Sequence, residues 1–175
     1  MNNSEIILEN INKRCSTRVF NDKKISLEDL KTIIKSAFCA PSATNLQPWE
    51  YIIITDYDKV RDMRNIHPYA AMFETASSGI IVCGNLNKVI PNYEEFWIQD
   101  CSAATQNILL AANALGISSV WTGIYPVEER CDKLKEYFCL PENIMPFALI
   151  ALGYCDKEAN IIDKYDEKKI HMNDW

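Results

Sequence analysis

Ala40-Pro41-Ser42-Ala43-Thr44-Asn45-Leu46-Gln47-Pro48-Trp49 is the stretch on which the reading of this chain turns. Its side chains are mostly small or amide-bearing and two prolines fence it, so it reads as a rigid loop, not as core. Such a loop offers hydrogen bonds to a polar, planar ligand. Upstream lies Arg14-Cys15-Ser16-Thr17-Arg18. There two guanidiniums and a hydroxyl take alternate positions, which an extended backbone turns to one side. Guanidinium forks make charge-assisted, often bidentate bonds to phosphate, and a serine hydroxyl adds a donor. Together the two stretches point to a cofactor with a phosphate tail.

Composition agrees. The chain has 175 residues, 48% of them hydrophobic, and a net charge of −6. That length predicts one domain, residues 1–175, able to bury about 70% of its unfolded surface. Within this acidic chain Lys13, Arg14, Arg18, Lys23 and Lys24 face a single nearby acid, Asp22. A basic island of this kind points to a local anion; a nucleic-acid binder spreads its charge over a whole face. Lys23 and Lys24 read as solvated surface, Arg14 and Arg18 as the anion's partners. The 7 cysteines are odd in number and form no C-x-x-C pair, which argues against a disulfide framework and against zinc or iron–sulfur ligation. Cys83 and Cys101 sit in apolar runs and read as small core residues. No apolar run is long enough to span a bilayer, and Met1-Asn2-Asn3-Ser4-Glu5 lacks the features of a signal peptide. A reduced cytoplasmic protein is the expectation.

Helical spacing predicts helices over Glu5–Lys13, from Leu27 to Pro41 with Ser26 as cap, from Asp58, around Tyr69–Thr75, over Tyr93–Leu115 and over Val127–Phe138. Gly116 is expected to end the longest of them. Apolar and β-branched runs predict strands at Tyr51–Thr55, Gly79–Cys83, Ser118–Trp121 and Phe147–Leu152. Strands separated by helices imply a layered α/β protein. In the longest helix Ile98, Cys101, Thr105, Ile108, Ala112 and Leu115 form one apolar face, and Ala103, Ala104, Leu109, Leu110 and Ala111 fill much of the rest. A helix apolar on most sides must be buried on most sides, within the core or against a partner subunit. The polar tail from Asp156 closes on Trp175, as a segment that docks on something would.

These motifs, in this order, resemble the nitroreductase family of FMN-dependent oxidoreductases. The Ala40–Trp49 loop is the most specific part of the likeness. Gln99-Asp100 through Leu115-Gly116, Ser119-Val120-Trp121-Thr122-Gly123, Ala151-Leu152-Gly153-Tyr154 and Lys164-Tyr165-Asp166-Glu167 are similar to the family's later segments. The resemblance implies an α/β (α+β) fold: a three-layer α/β/α sandwich with a central mixed, mainly antiparallel sheet. It also implies a long central helix at a homodimer interface and a tail, residues 156–175, docking on the partner subunit. Arg14, Ser16, Arg18 and Lys164 would then hold the FMN phosphate. Pro41, Ser42 and Ala43 would approach the flavin from the neighbouring subunit, with Asn45 and Gln47 close by. The backbone of Thr122 and Gly123 would face the isoalloxazine, with an N–H directed towards N5. Where some relatives carry a lysine and an asparagine before the second strand, this chain has Tyr69 and Met72.

In such a protein the flavin carries the hydride and the chain supplies binding and orientation, so no catalytic acid–base pair is expected. Glu94-Glu95 and Asp166-Glu167 read as solvated acids, and His67 and His171 as isolated structural or surface residues without metal partners. Phe73, Tyr93, Phe96, Trp97 and Tyr125 could cover the substrate face of the flavin or belong to the core. No G-x-G-x-x-G fingerprint occurs, so a nicotinamide would stack on the flavin itself. The leading expectation is a homodimeric enzyme that uses NAD(P)H to reduce small electron-poor acceptors, nitroaromatics or quinones, in a ping-pong cycle. The alternatives are an enone reductase or dehalogenase on the same fold, or a flavin-binding protein without turnover.

Overall fold

The computed structural model describes residues 2–157 and 161–175. Residues 158–160, part of the expected docking tail, lie outside them, as does Met1. Helix α1 (Asn3–Lys13) opens on a capping box, in which Asn2 Oδ1 accepts the Glu5 N–H and the Glu5 carboxylate accepts the Asn2 N–H. Helix α2 (Leu27–Ala37) opens on Ser26, whose hydroxyl accepts the Asp29 N–H at 3.0 Å, the cap the sequence predicts. Then follow β1 (Trp49–Ile54), α3 (Tyr57–Ile66), β2 (Ser78–Asn85), α4 (Phe96–Ala114), β3 (Ser118–Gly123), α5 (Glu128–Phe138) and β4 (Ile144–Gly153).

Most elements differ from the sequence reading by one to three residues at an end, β4 for instance beginning at Ile144 and not Phe147, and two differences have a local cause. The element expected around Tyr69–Thr75 is a single 3₁₀ turn, Ala71–Glu74. The longest helix starts at Phe96, not Tyr93, because Tyr93–Glu95 form a tight turn whose carbonyls receive the Phe96, Trp97 and Ile98 N–H groups. Its far end behaves as expected. Gly116 takes φ +70°, and the N–H groups of Gly116 and Ile117 donate to Asn113 O and Ala112 O. This is a Schellman motif, in which only glycine adopts the left-handed position without strain.

The four strands form one antiparallel sheet in the order β1-β2-β4-β3. Among the described residues its parallel element is a single bridge, Ser16 to Ser119, which lays the N-terminal cation segment along the outer edge of β3. The central strands are apolar at every second position on both sides, so the sheet is covered on both faces. Ile80, Val82, Ile150 and Leu152 pack against α2 and α4 through Leu30, Ile33, Cys101 and Ile108. Ile81, Cys83, Leu149 and Ala151 pack against α3 and α5 through Val60, Met63, Cys131 and Leu134. The result is three layers, α/β/α. Each fully buried aliphatic side chain in them contributes about 1.5–3 kcal/mol by leaving water.

Two glycines let aromatic rings lie directly on the sheet. A Cβ on Gly84 would come within 2.3 Å of Trp97, and one on Gly153 within 2.6 Å of Phe20. Phe20 closes the segment that carries Arg14, Ser16 and Arg18, so its seat on Gly153 also anchors that segment. Helix α4 buries its sheet-facing residues, while Ile98, Leu110 and Ala111 are half-buried and Leu115 is exposed. Against it lies α1, joined through the Asn10 amide to Leu110 O and from the Asn113 amide to Asn10 O. Nonetheless α1 buries no residue, and Ile7, Leu8 and Ile11 stand exposed.

Candidate functional site

Segment 14–21 is extended because its backbone is stitched to the sheet: Thr17 N–H donates to Ser119 O at 3.0 Å and Asn21 N–H to Tyr154 O at 2.8 Å. A cavity of about 1020 Å³ opens along it, lined by Arg14, Ser16, Arg18, Asn113, Ser118 and, from the tail, Lys164. All four residues expected to hold a phosphate therefore meet at one cavity. Among the described residues, Arg14, Arg18 and Lys164 form no ion pair. With Lys157 they outnumber the acid that lines the same cavity, Asp163, and an excess of cations around one opening attracts an anion more strongly than the same excess spread over a surface.

The loop between α2 and β1 is held by its own polar atoms. Ser42 Oγ accepts the Gln47 N–H at 3.0 Å, and the Gln47 amide leans on Asn45 Oδ1 at 3.4 Å. Thr44, Asn45 and Gln47 all take positive φ, 49°, 59° and 50°. Left-handed backbone at non-glycine residues costs about 1–2 kcal/mol each, and such strain collects where a particular surface must be displayed. A carboxylate from α4 supports the loop, with Asp100 Oδ1 accepting the Ala43 N–H at 2.9 Å. Asp100 is buried, and burial raises its pKa from the ordinary aspartate value, opposed by the bond from Ala43. Within one chain the loop does not line the cation cavity; Pro41, Asn45 and Gln47 face outwards.

At the far end of β3, Thr122 and Gly123 differ. Amide groups of successive strand residues point to alternate edges. Ser119 turns its carbonyl outwards to Thr17, so the amide of Gly123 also faces the outer edge and that of Thr122 faces β4. The Thr122 hydroxyl is buried on Leu149 O at 2.7 Å. A Cβ on Gly123 would meet nothing within 4 Å, and its φ lies outside the left-handed region, so neither the fold nor the backbone calls for glycine there. The missing side chain leaves room over the strand edge. The Gly123 carbonyl receives two donors, His67 Nε2 at 3.1 Å and Arg130 Nη1 at 3.0 Å.

The Nitroreductase family model matches residues 11–78 and 68–154. This chain belongs to the nitroreductase family. A protein of Archaeoglobus fulgidus, provisionally named NADH dehydrogenase/NAD(P)H nitroreductase, is 42% identical over 98% of this chain and 99% of its own. A crystal structure from Bacteroides thetaiotaomicron under the same provisional name superposes with a TM-score of 0.91 at 39% identity, covering 100% of both chains. An FMN-dependent nitroreductase from Clostridium difficile superposes with a TM-score of 0.87 at 26% identity, over 96% of this chain and 99% of its own.

Seen as a nitroreductase-family chain, the molecule gathers the cations, places Gly123 at the other end of the same strand and leaves the Pro41–Gln47 loop apart from the cavity. The aromatic set divides. Phe73 and Trp97 are core, Tyr125 stacks edge-on against Trp97 at 4.9 Å, and Tyr93 and Phe96 are exposed. Tyr69 is exposed and Met72 buried. Sequence reasoning gave Asp100 and Arg130 no role at the site and read His67 only as an isolated structural or surface residue. Asp100 had a signal, since it is the one charged residue of α4. The two donors to Gly123 meet it only through the tertiary fold.

Proposed function

We propose that the chain is a homodimeric, cytoplasmic oxidoreductase that binds FMN and uses NAD(P)H to reduce small electron-poor acceptors such as nitroaromatics or quinones. The carrying observation is that Arg14, Ser16, Arg18 and Lys164 meet at one end of the β3 edge while Gly123 stands open at the other. Ser118 to Gly123 spans roughly 17 Å at the usual strand rise, room for a phosphate tail at one end and a ring at the other. The FMN named for the Clostridium difficile relative fits this donor set.

Bound FMN would supply the hydride chemistry at N5. Arg14 and Arg18 would fork onto the phosphate, with Ser16 and Lys164 adding donors. The outward Gly123 N–H would donate towards the ring. Pro41, Ser42 and Ala43 of a second copy, with Asn45 and Gln47, would cover the ring, since one chain holds that loop away from its own cavity. The second copy would also bury the exposed Ile7, Leu8 and Ile11 of α1 and the tail side chains Ile162, Tyr165 and Trp175. Ping-pong turnover follows if nicotinamide and acceptor use the same open face in turn. All 7 cysteines are free, as a reducing compartment allows.

The test is a visible spectrum of the purified protein before and after anaerobic addition of NADH or NADPH. Flavin bands that bleach with nucleotide and return with a quinone are expected. A protein that acquires no flavin bands when mixed with FMN would sink the proposal, and bound flavin that neither nucleotide bleaches would leave a flavin-binding protein.

A further inference from the structure

His67 is the residue whose surroundings go furthest beyond its sequence. It lies just past the end of α3 and is buried, and both ring nitrogens are engaged. The Tyr69 N–H donates to Nδ1 at 3.0 Å, so Nδ1 carries no proton. The proton is therefore on Nε2, which donates to Gly123 O at 3.1 Å. Arg130 of α5 donates to the same oxygen at 3.0 Å, filling both of its lone pairs. The next amide, Ile124 N–H, is held by Phe147 O at 3.1 Å. A glycine would otherwise be free to swivel at this point. Instead the Gly123–Ile124 peptide is fixed from three sides, by the end of α3, by α5 and by β4.

We propose that His67 and Arg130 are positioning residues for Gly123, holding the strand end so that its outward N–H meets the flavin ring at one fixed angle. This rests on the flavin reading given above. Neither side chain touches the cofactor; each acts through the Gly123 carbonyl.

The clamp works only with a neutral imidazole. Protonation at Nδ1 would turn an acceptor into a donor facing the Tyr69 N–H and place a second positive charge beside Arg130. Burial first, and Arg130 second, hold the His67 pKa below its usual value of 6.5, with the Gly123 bond opposing them. The charged and titratable groups facing it are Arg130 and the Tyr69 phenol, whose ring lies edge-on at 5.8 Å. The folded-state pKa is depressed, so the clamp's contribution is complete above pH 6.5 and is lost as pH falls through the folded value.

Two measurements test this. In the FMN-free protein, amide NMR of Gly123 and Tyr69 is followed from pH 7 downwards. Both resonances should move together below the usual histidine range, and neither should move in His67→Gln, which keeps a donor but does not titrate. Still Gly123 and Tyr69 resonances in the wild type would overturn the clamp without touching the flavin reading. In the FMN-loaded protein, His67→Leu should shift the bound flavin's absorption bands and slow single-turnover hydride uptake from NADH. The slowing should be about ten- to a hundredfold, the scale of a small misplacement. His67→Gln should restore both, and Arg130→Gln, at a half-buried position in the first turn of α5, should give a smaller effect in the same direction. Unaltered bands and rate in both His67→Leu and Arg130→Gln would overturn the positioning role. A wild type that takes up no FMN would overturn it along with the flavin reading, whatever the NMR titration shows.

Discussion

Asp100 and Ala43 are joined by a 2.9 Å hydrogen bond that ties the longest helix to the strained loop before β1. The bond reaches a backbone N–H, so only the acceptor on the helix matters to it. An asparagine oxygen can accept the same bond without carrying a charge into the interior. Asp100→Asn should therefore keep the loop in place and stabilise the protein at neutral pH. The sign follows from burial, which raises the folded-state pKa of Asp100. A raised carboxyl pKa contributes stability below the unfolded value and loses it as pH climbs through the folded one. The advantage of asparagine should thus grow from pH 3 to pH 7 in paired thermal melts. An advantage that shrinks over that range would contradict the assignment.

Gly123→Ala separates folding from binding. Nothing lies within 4 Å of the added methyl, and the backbone is not left-handed. The variant should be as stable as the parent or gain about 0.4–1 kcal/mol from a stiffer unfolded chain. FMN affinity should drop by about 1–3 kcal/mol, the usual cost of forcing a methyl into a filled contact. Parallel melts and flavin-fluorescence titrations read the two effects, and wild-type affinity would place the ring elsewhere.

Arg14→Ala addresses the other end of the site. Arg14 forms no ion pair among the described residues, so stability should change by less than about 0.5 kcal/mol. Binding of FMN should weaken by about 1.5–3 kcal/mol, the value of a hydrogen bond to a charged group. Riboflavin, which has no phosphate, should bind both proteins equally; a loss for riboflavin too would mean that Arg14 contacts the ring.

Gly116→Ala tests the helix stop. At φ +70° a Cβ costs about 1–2 kcal/mol, and open space around the site leaves no steric term to add. Denaturant unfolding should show that loss with an unchanged m-value, and Gly116→Asn should lose less.

Much of this architecture is legible in local pattern. Ser26 and Gly116 announce the start of one helix and the end of another through backbone chemistry confined to a few residues. The strand segments show as apolar runs because β2 and β4 are covered on both faces. Strand order is another matter: nothing near Ser118 or Phe147 says that β4 pairs between β2 and β3. The same limit applies to the site. The alternation of Arg14, Ser16 and Arg18 is a local signal, readable at once. The hold of His67 on Gly123 joins residues far apart in the chain, and a histidine before a proline carries no mark of it. Phe73 and Trp97 show the converse, since an aromatic ring has the same look in sequence whether it lines a pocket or fills a core.

The ring of Phe20 lies where a side chain on Gly153 would have to be. The cation segment thus hangs from a hole in the sheet, and the two positions share one inheritance. A descendant that enlarges residue 153 must shrink residue 20 or rehang everything from Arg14 to Arg18. Among diverging copies of this chain, positions 20 and 153 should therefore drift as a linked pair. A lineage that breaks the pairing is the place to look for a changed cofactor.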